Sequence, residues 1–165
     1  MYKINTVYCT KVNSTKLKDP TSMFVVFDLD GTLADASHRE HYVQRPVGEK
    51  DWEKFHAASV KDRPKFGVLR TYLALEATGA QVEIWTGRDE KYRDQTVNWL
   101  AENGIHDPKL KMRPNGDHTP DDEMKSAWMD EADRPVQMVF EDRARVVDMW
   151  RRRGVLCAQV APGNF

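Results

Sequence analysis

The chain has 165 residues, of which 40% are hydrophobic, and its formal net charge is −1. These values are typical of one soluble globular domain, and no apolar run approaches the roughly 20 residues that a membrane-spanning helix needs. The near-neutral charge gives no reason to expect tight nonspecific binding to nucleic acid. Residues 1–22 are polar and lack a secretory signal pattern, so we expect a cytoplasmic protein with an N-terminal arm or extra strand.

An alternation of strands and helices follows from residue 23 onward. Residues 23–27 form a continuous apolar run that favours a strand buried on both faces. Residues 34–66 are mixed and charged, with a short helix predicted over 50–59. The later elements are predicted, in chain order, as a helix over 66–78, a strand over 81–85, a helix over 89–102, a strand over 110–113, a helix over 121–130, a strand over 136–140, a helix over 144–153 and a strand over 155–160.

This order predicts the fold class, which is α/β: a three-layer Rossmann-like parallel sheet with helices on both faces. The domain is predicted to span 23–165, and residues 34–66 leave room for only a small cap or flap insertion. In open sheets of this kind, ligands bind beyond the carboxyl ends of the strands. We therefore expect the chemistry of the chain at the strand ends.

Polar residues follow three of the predicted strands. They are Asp28 and Asp30 after the first strand, Thr86, Gly87 and Arg88 after the second, and Glu141 and Asp142 after a later one. Lys125 lies on the helix over 121–130. If the strands are neighbours in the sheet, these side chains converge at one edge.

Converged carboxylates repel one another unless a cation lies among them. Because the set has hard oxygen ligands and no Cys or His cluster, it favours magnesium, with Asp28 and Asp142 as side-chain ligands and the backbone carbonyl of Asp30 as another. A metal held in this way often acts on phosphate, whose oxygens Lys125 and the Thr86 hydroxyl could bind. One aspartate can attack phosphorus, and a second acid can transfer the protons.

The pentapeptide DLDGT at 28–32 matches DxDGT, the first motif of the haloacid-dehalogenase-like superfamily. Thr86, Lys125 and the Glu141-Asp142 pair follow in the order of its other motifs. The segment EDRARVVDMWRRRGVLCAQVAPGNF at 141–165 resembles the end of the 3′-phosphatase domain of bacteriophage polynucleotide kinase-phosphatases, and so do shorter stretches at 85–88, 112–113 and 121–125. The resemblance covers roughly 23–165, and the sequence contains no GxxxxGK[ST] phosphate loop.

This resemblance implies a magnesium-dependent phosphatase that removes 3′-phosphates from polynucleotide ends through an aspartyl-phosphate intermediate. It implies Asp28 as the nucleophile and Asp30 as the general acid and base. It further implies Thr86 and Lys125 as phosphate ligands, Arg39, Arg88 and Gly87 as substrate-binding residues, Asp121 and Glu141 as orienting residues, and Asp28, Asp30 and Asp142 as the Mg²⁺ site.

Glu141 departs from the family pattern, which often has aspartate there. Its extra methylene could direct the carboxylate to water or to Lys125 rather than to metal. The segment between Arg39 and Phe66 also differs, which weakens inference about the substrate more than about the chemistry. Within it, Trp52 and Phe55 could stack a nucleobase or pack against the core, and Arg39 could instead be a surface arginine.

Two other functions remain open from the sequence. The lack of a basic excess favours a nucleotidase or small-molecule phosphatase. A protein of another class, a non-catalytic binding partner of a separate kinase, would keep the fold without turnover. The resemblance also implies a homodimer, a separate kinase or ligase in the same pathway, and the host cell cytoplasm if the chain is phage-encoded.

Overall fold

The structure is a computed structural model that describes residues 23–46 and 48–163. The predicted arm or strand over 1–22 lies outside these residues. The strands are β1 Phe24–Phe27, β2 Ala34–Asp35, β3 Arg63–Pro64, β4 Gln81–Asp89, β5 Leu110–Arg113, β6 Met138–Arg143 and β7 Leu156–Gly163. The helices are α1 Trp52–Ala57, α2 Phe66–Ala77, α3 Arg93–Glu102, α4 Asp121–Asp130 and α5 Ala144–Arg152, with short 3₁₀ turns at Ser37–Tyr42, Ala58–Lys61 and Glu90–Tyr92.

A five-stranded sheet in the order β5-β4-β1-β6-β7 forms the middle layer, and all of its neighbouring strands pair in parallel. Helices α2 and α3 pack in one hydrophobic core and helices α4 and α5 in another, on opposite faces of the sheet. The predicted three-layer α/β fold is therefore confirmed.

Strand β1 lies at the centre of the sheet and is buried on both faces. Phe24 and Val26 point into one core, whereas Val25 and Phe27 point into the other, because successive side chains of a strand alternate between faces. Each fully buried side chain of this size stabilises the fold by about 1.5–3 kcal/mol. The buried strand β1 thus fixes the position of Asp28, the residue that follows it, at the centre of the sheet.

The segment between β2 and β3 forms a small insertion at the edge of the domain. The two short strands pair antiparallel, Ala34 with Pro64 and Asp35 with Arg63. The helix predicted over 50–59 is present as α1 and the turn that follows it. A separate small core of Ala36, Val43 and Phe55 stabilises this segment.

Three strands differ from their predicted bounds at the edge where the site lies. β4 continues to Asp89, β6 runs over Met138–Arg143, and β7 continues to Gly163. The sequence-based bounds stop where the apolar runs stop, but strand pairing continues past them, with register shifts between Thr86 and Asp89 and between Glu141 and Arg143. The polar strand ends are therefore held in the sheet rather than in loops.

Among the described residues, no helix is both long enough and apolar enough to cross a lipid bilayer.

Candidate active site

Three carboxylates meet at the carboxyl edge of the sheet. Asp28 follows β1, and its backbone N–H donates to the carbonyl of Phe140 at 2.9 Å. Glu141 and Asp142 lie on β6, the strand next to β1. One oxygen from each of the three carboxylates lies within 4.8 Å of the others, and all three side chains are buried. The predicted convergence of strand ends is present for these residues.

Lys125 lies inside this cluster, with only 2% of its surface exposed. Its Nζ donates to Oδ1 of Asp28 at 2.6 Å and to Oε2 of Glu141 at 2.7 Å. Burial alone lowers the pKa of a lysine, but the charges of Asp28 and Glu141 outweigh burial and raise the pKa of Lys125. Lys125 is therefore a fixed positive charge that restrains Asp28.

One lysine does not balance three buried carboxylates. Burial, with the charge of Glu141 next, raises the pKa of Asp28 well above its usual range and raises the pKa of Asp142 to about 7. A divalent cation among these oxygens would remove the repulsion. Because all the donors are hard carboxylate oxygens, the residues fit Mg²⁺.

Glu141 and Asp142 differ in what their oxygens contact. Oε2 of Glu141 accepts from Lys125, and Oε1 accepts from the backbone N–H groups of Asp142 and Arg143, each at 3.2 Å. The carboxylate of Asp142 lies beside Gly31 and offers an oxygen within 4.8 Å of oxygens of Asp28 and Glu141. Glu141 therefore contacts Lys125, one of the two alternatives expected for its longer side chain, and Asp142 keeps oxygens available for a metal.

The turn after Asp28 depends on Gly31. Its φ is +85°, a conformation that costs a residue with a Cβ free energy, and a Cβ there would lie 2.5 Å from Cγ of Asp142. The Gly31 N–H donates to the Ala34 carbonyl at 2.8 Å, and Nζ of Lys65 donates to the Gly31 carbonyl at 2.5 Å. The glycine of the DLDGT motif thus lets the chain turn directly over the Asp142 carboxylate.

Asp30 is held by two arginines rather than by the carboxylate cluster. Nε of Arg88 donates to both of its oxygens at 3.0 Å, and Arg39 donates to Oδ1. Burial opposes the ionisation of Asp30, but Arg88 and Arg39 together hold its pKa well below the usual range. The side chain of Asp30 is therefore a charged carboxylate in a fixed orientation.

The two arginines are fully buried and do not line the cleft. Asp62 lies behind them, accepting from Nε of Arg39 at 2.8 Å and from Nη2 of Arg88 at 3.2 Å. Because Arg39 is fully buried, it is not the surface arginine that the sequence left open, whereas contact of Arg39 and Arg88 with substrate stays a prediction. Their donors are directed at Asp30 and Asp62, so both residues orient Asp30.

Thr86 and Gly87 lie on β4, on the opposite side of β1 from Glu141 and Asp142. Thr86 is fully buried, lines the cleft and accepts from the backbone N–H of Arg88 at 3.2 Å through its hydroxyl. A Cβ on Gly87 would lie 2.8 Å from Oδ1 of Asp121. Gly87 thus permits close packing of β4 against Asp121 at the start of α4.

Asp121 forms ion pairs with Arg113 and Arg143. Sequence analysis predicts that it orients Lys125, which lies one helical turn later, but the side chain of Lys125 extends away to Asp28 and Glu141. The charge of Asp121 still contributes to the raised pKa of Lys125. The influence is therefore electrostatic, and the residues that Asp121 directly holds are the two arginines.

Sequence reasoning misses Asp62, Arg113 and Arg143. Asp62 follows no strand and lies in a charged segment where one acidic residue resembles any other. Arg143 directly follows the Glu141-Asp142 pair, and Arg113 ends the short strand β5, so their positions at strand ends are the signal that could have identified them.

The three carboxylates, Thr86 and Asp121 line one open cleft of about 1050 Å³, together with Arg113 and Arg143. Its floor contains Asp28, Thr86 and Asp142, and its walls come from the insertion, the turn after β4, the loop over 117–120 and the start of α5. The volume is at the upper end of the range for small-molecule sites. The cleft can therefore admit a nucleotide or the end of a strand.

Comparison with known proteins relates this arrangement to a family. Residues 22–165 match the family described as the polynucleotide kinase PNKP phosphatase domain. A chain from a structure of the Pnkp1/Rnl/Hen1 RNA repair complex is 29% identical, with a TM-score of 0.71 over 89% of this chain and 45% of that one. A chain from another Pnkp1/Rnl/Hen1 complex structure is 28% identical, with a TM-score of 0.71 over 89% of this chain and 49% of that one. The present chain thus spans less than half the length of either.

A more distant likeness is to the class C acid phosphatase from Bacillus anthracis. It is 15% identical, with a TM-score of 0.54 over 76% of this chain and 54% of that one. At this identity the likeness shows the shared fold alone.

Proposed function

The chain belongs to the polynucleotide kinase PNKP phosphatase-domain family of haloacid-dehalogenase-like phosphatases, and we propose that it is a magnesium-dependent phosphatase that removes 3′-phosphates from polynucleotide ends. The observation that carries the chemistry is the cluster of three buried carboxylates that line the cleft, Asp28, Glu141 and Asp142, with Lys125 paired to the first two. Its residue types and arrangement suit attack on a phosphate monoester.

Asp28 is the proposed nucleophile. One of its oxygens attacks phosphorus, the bond between phosphorus and the 3′-oxygen breaks, and Asp28 becomes an acyl-phosphate. Because Lys125 donates to Oδ1 at 2.6 Å, it fixes the carboxylate and leaves Oδ2 for the attack. Lys125 and the Thr86 hydroxyl then bind oxygens of the transferred phosphoryl group.

Asp28 and Asp142 would hold Mg²⁺, together with the backbone carbonyl of Asp30. Bound there, the cation would neutralise negative charge that develops on the phosphoryl oxygens. Glu141 contributes by holding Lys125 through Oε2, so that the lysine stays beside Asp28.

Asp30 is the proposed general acid and base. In the first step it gives a proton to the departing 3′-oxygen, and in the second it accepts one from the water that hydrolyses the acyl-phosphate. The two arginines favour its anionic form, which suits the second step. For the first step, substrate binding has to loosen the contacts of Arg39 and Arg88 so that Asp30 can carry a proton.

The polynucleotide end as substrate is supported by the family and by the similarity to chains of an RNA repair complex. A separate kinase or ligase acting on the same end is the partner that this role implies, and a homodimer remains part of the proposal. A free nucleotide is the competing substrate, because the chain has no excess of positive charge.

The test is phosphate release from a 3′-phosphorylated oligonucleotide, a 5′-phosphorylated oligonucleotide, and nucleoside 3′- and 5′-monophosphates, with Mg²⁺ or with EDTA. We expect the 3′-phosphorylated oligonucleotide to have the highest kcat/KM and EDTA to stop its turnover. Asp28→Asn should abolish release, whereas Asp94→Asn on the exposed side of α3 should not. Higher kcat/KM for a free nucleotide would contradict the polynucleotide assignment and leave the chemistry intact.

A further inference from the structure

One wall of the cleft is aromatic. It contains Trp52 and His56 from α1 and Tyr92 from the turn after β4. Trp52 has 40% of its surface exposed, although exposed tryptophans are uncommon in a stable domain. The other large hydrophobic side chains exposed among the described residues, none of which lines the cleft, are Met23, Val60, Phe66 and Leu156.

The wall is fixed from behind. Phe55 is 1% exposed and packs in the small core of the insertion. Its ring centroid lies 4.1 Å from the guanidinium carbon of Arg39. The side-chain amide of Gln95 donates to the His56 carbonyl at 2.9 Å, which ties α1 to α3. Of the two aromatic residues singled out in the sequence, both line the cleft, but Phe55 is buried and has the packing role, whereas Trp52 is exposed to the cleft.

The three rings of the wall lie next to one another. The centroids of Trp52 and His56 lie 6.1 Å apart at an interplanar angle of 25°, and those of His56 and Tyr92 lie 5.4 Å apart. Burial lowers the pKa of His56 to about 4, so its ring is neutral at physiological pH. The wall is thus an uncharged aromatic surface beside a catalytic floor that is highly charged.

The charges of the cleft make such a surface important for binding a strand. Among the described residues that line the cleft, nine are acidic and five are Lys or Arg. Electrostatic attraction of a polyanion is therefore limited, and a neutral contact has to contribute. Two cations do lie at the wall, with Nζ of Lys50 5.7 Å from the Trp52 ring centroid and Nζ of Lys91 5.0 Å from that of Tyr92.

We infer that Trp52 is the stacking surface for the nucleobase at the 3′ end of the substrate, with Lys50 and Lys91 beside the neighbouring backbone phosphate. This inference rests on the proposed function and specifies its substrate as a nucleotide-containing end rather than a bare phosphoester. Stacking on an aromatic side chain contributes about 1–3 kcal/mol per base and tolerates any base, since each has a π face. The site is therefore expected to read the presence of a base and not its identity.

The test compares substrates with and without a base in variants of Trp52. Trp52→Ala and Trp52→Leu should raise KM about 5- to 150-fold for an oligonucleotide whose 3′-terminal nucleotide is phosphorylated, with kcat unchanged. The same variants should leave turnover of glycerol 2-phosphate unchanged, because that substrate has no aromatic ring to stack. Trp52→Phe should keep most of the affinity, since it keeps a π face that leucine lacks.

Phe66→Ala is the matched control, because Phe66 is also an exposed aromatic residue at a helix start but lies outside the cleft. This variant should leave kcat and KM unchanged for both substrates. The inference is overturned if the Trp52 variants leave the oligonucleotide KM unchanged, or if they impair both substrates equally, which would indicate support of the fold instead of stacking.

A binding measurement separates this inference from the proposed function. Because Trp85, Trp99, Trp128 and Trp150 are buried, fluorescence quenching by a bound 3′-phosphorylated oligonucleotide reports chiefly on Trp52. Quenching in Asp28→Asn that disappears in Asp28→Asn/Trp52→Leu supports stacking, and absence of quenching overturns it. If the wild type hydrolyses none of the substrates, the proposed phosphatase function fails, and the fluorescence result still decides the binding surface.

Discussion

Replacement of Gly31 by alanine tests how the DLDGT turn is coupled to the proposed metal site. Gly31 has φ +85°, where a Cβ costs about 1–2 kcal/mol. The new Cβ would also lie 2.5 Å from Cγ of Asp142, so that this carboxylate has to move. Displacement of a proposed metal ligand or of its support weakens metal affinity by about 10- to 100-fold. We therefore expect Gly31→Ala to lose stability and to need more Mg²⁺.

Gly79→Ala separates the two effects. Gly79 has a nearly identical φ of +84°, but a Cβ there has no atom within 4 Å. Both variants should lower the melting temperature by about 2–4 °C per kcal/mol of lost stability. In a titration of phosphatase activity with Mg²⁺, only Gly31→Ala should shift the midpoint, and an unshifted midpoint in a folded Gly31→Ala protein would refute the reasoning.

Three further perturbations act on buried charge. Lys125→Ala leaves Asp28 and Glu141 buried without their cation, so urea denaturation should show a loss of about 3–5 kcal/mol in the absence of metal. Asp62→Ala removes a buried partner of the arginines that hold Asp30; kcat should fall with little change in KM, and an unchanged kcat would argue against an orienting role. His56, whose folded pKa is about 4 against about 6.5 unfolded, should contribute stability above pH 6.5 that is lost as pH falls toward 4. The expected loss is about 3 kcal/mol. The free energy of unfolding of the wild type minus that of His56→Phe should therefore fall by this amount as the pH is lowered from 6.5 to 4. A difference that stays constant over this pH range would argue against the neutral ring.

The sequence allowed the fold and the floor of the site to be predicted because both depend on local patterns. An apolar run marks the central strand, and the carboxyl ends of parallel strands meet at one edge. Asp28, Lys125 and Asp142 therefore converge as predicted. The DLDGT turn is also local, since a glycine beside a short acidic run identifies it.

The surroundings of Asp30 could not be predicted in the same way. Arg39 and Asp62 lie in a charged insertion without periodicity, and their burial comes from packing of that insertion on the sheet. The same holds for Trp52 and Phe55, which are three residues apart on one helix but end in different environments. Which charged or aromatic side chain is buried depends on contacts between distant segments, and a single sequence does not encode these as a pattern.

The most direct test of the central claim is to trap the phosphorylated nucleophile. The enzyme is mixed with an oligonucleotide whose 3′-phosphate is radiolabelled, quenched with acid during the first turnover, and digested for peptide mapping. We expect a labelled acyl-phosphate on the peptide that contains Asp28, lost on treatment with hydroxylamine and absent in Asp28→Asn. Label on another residue, or full turnover by Asp28→Asn, would contradict it.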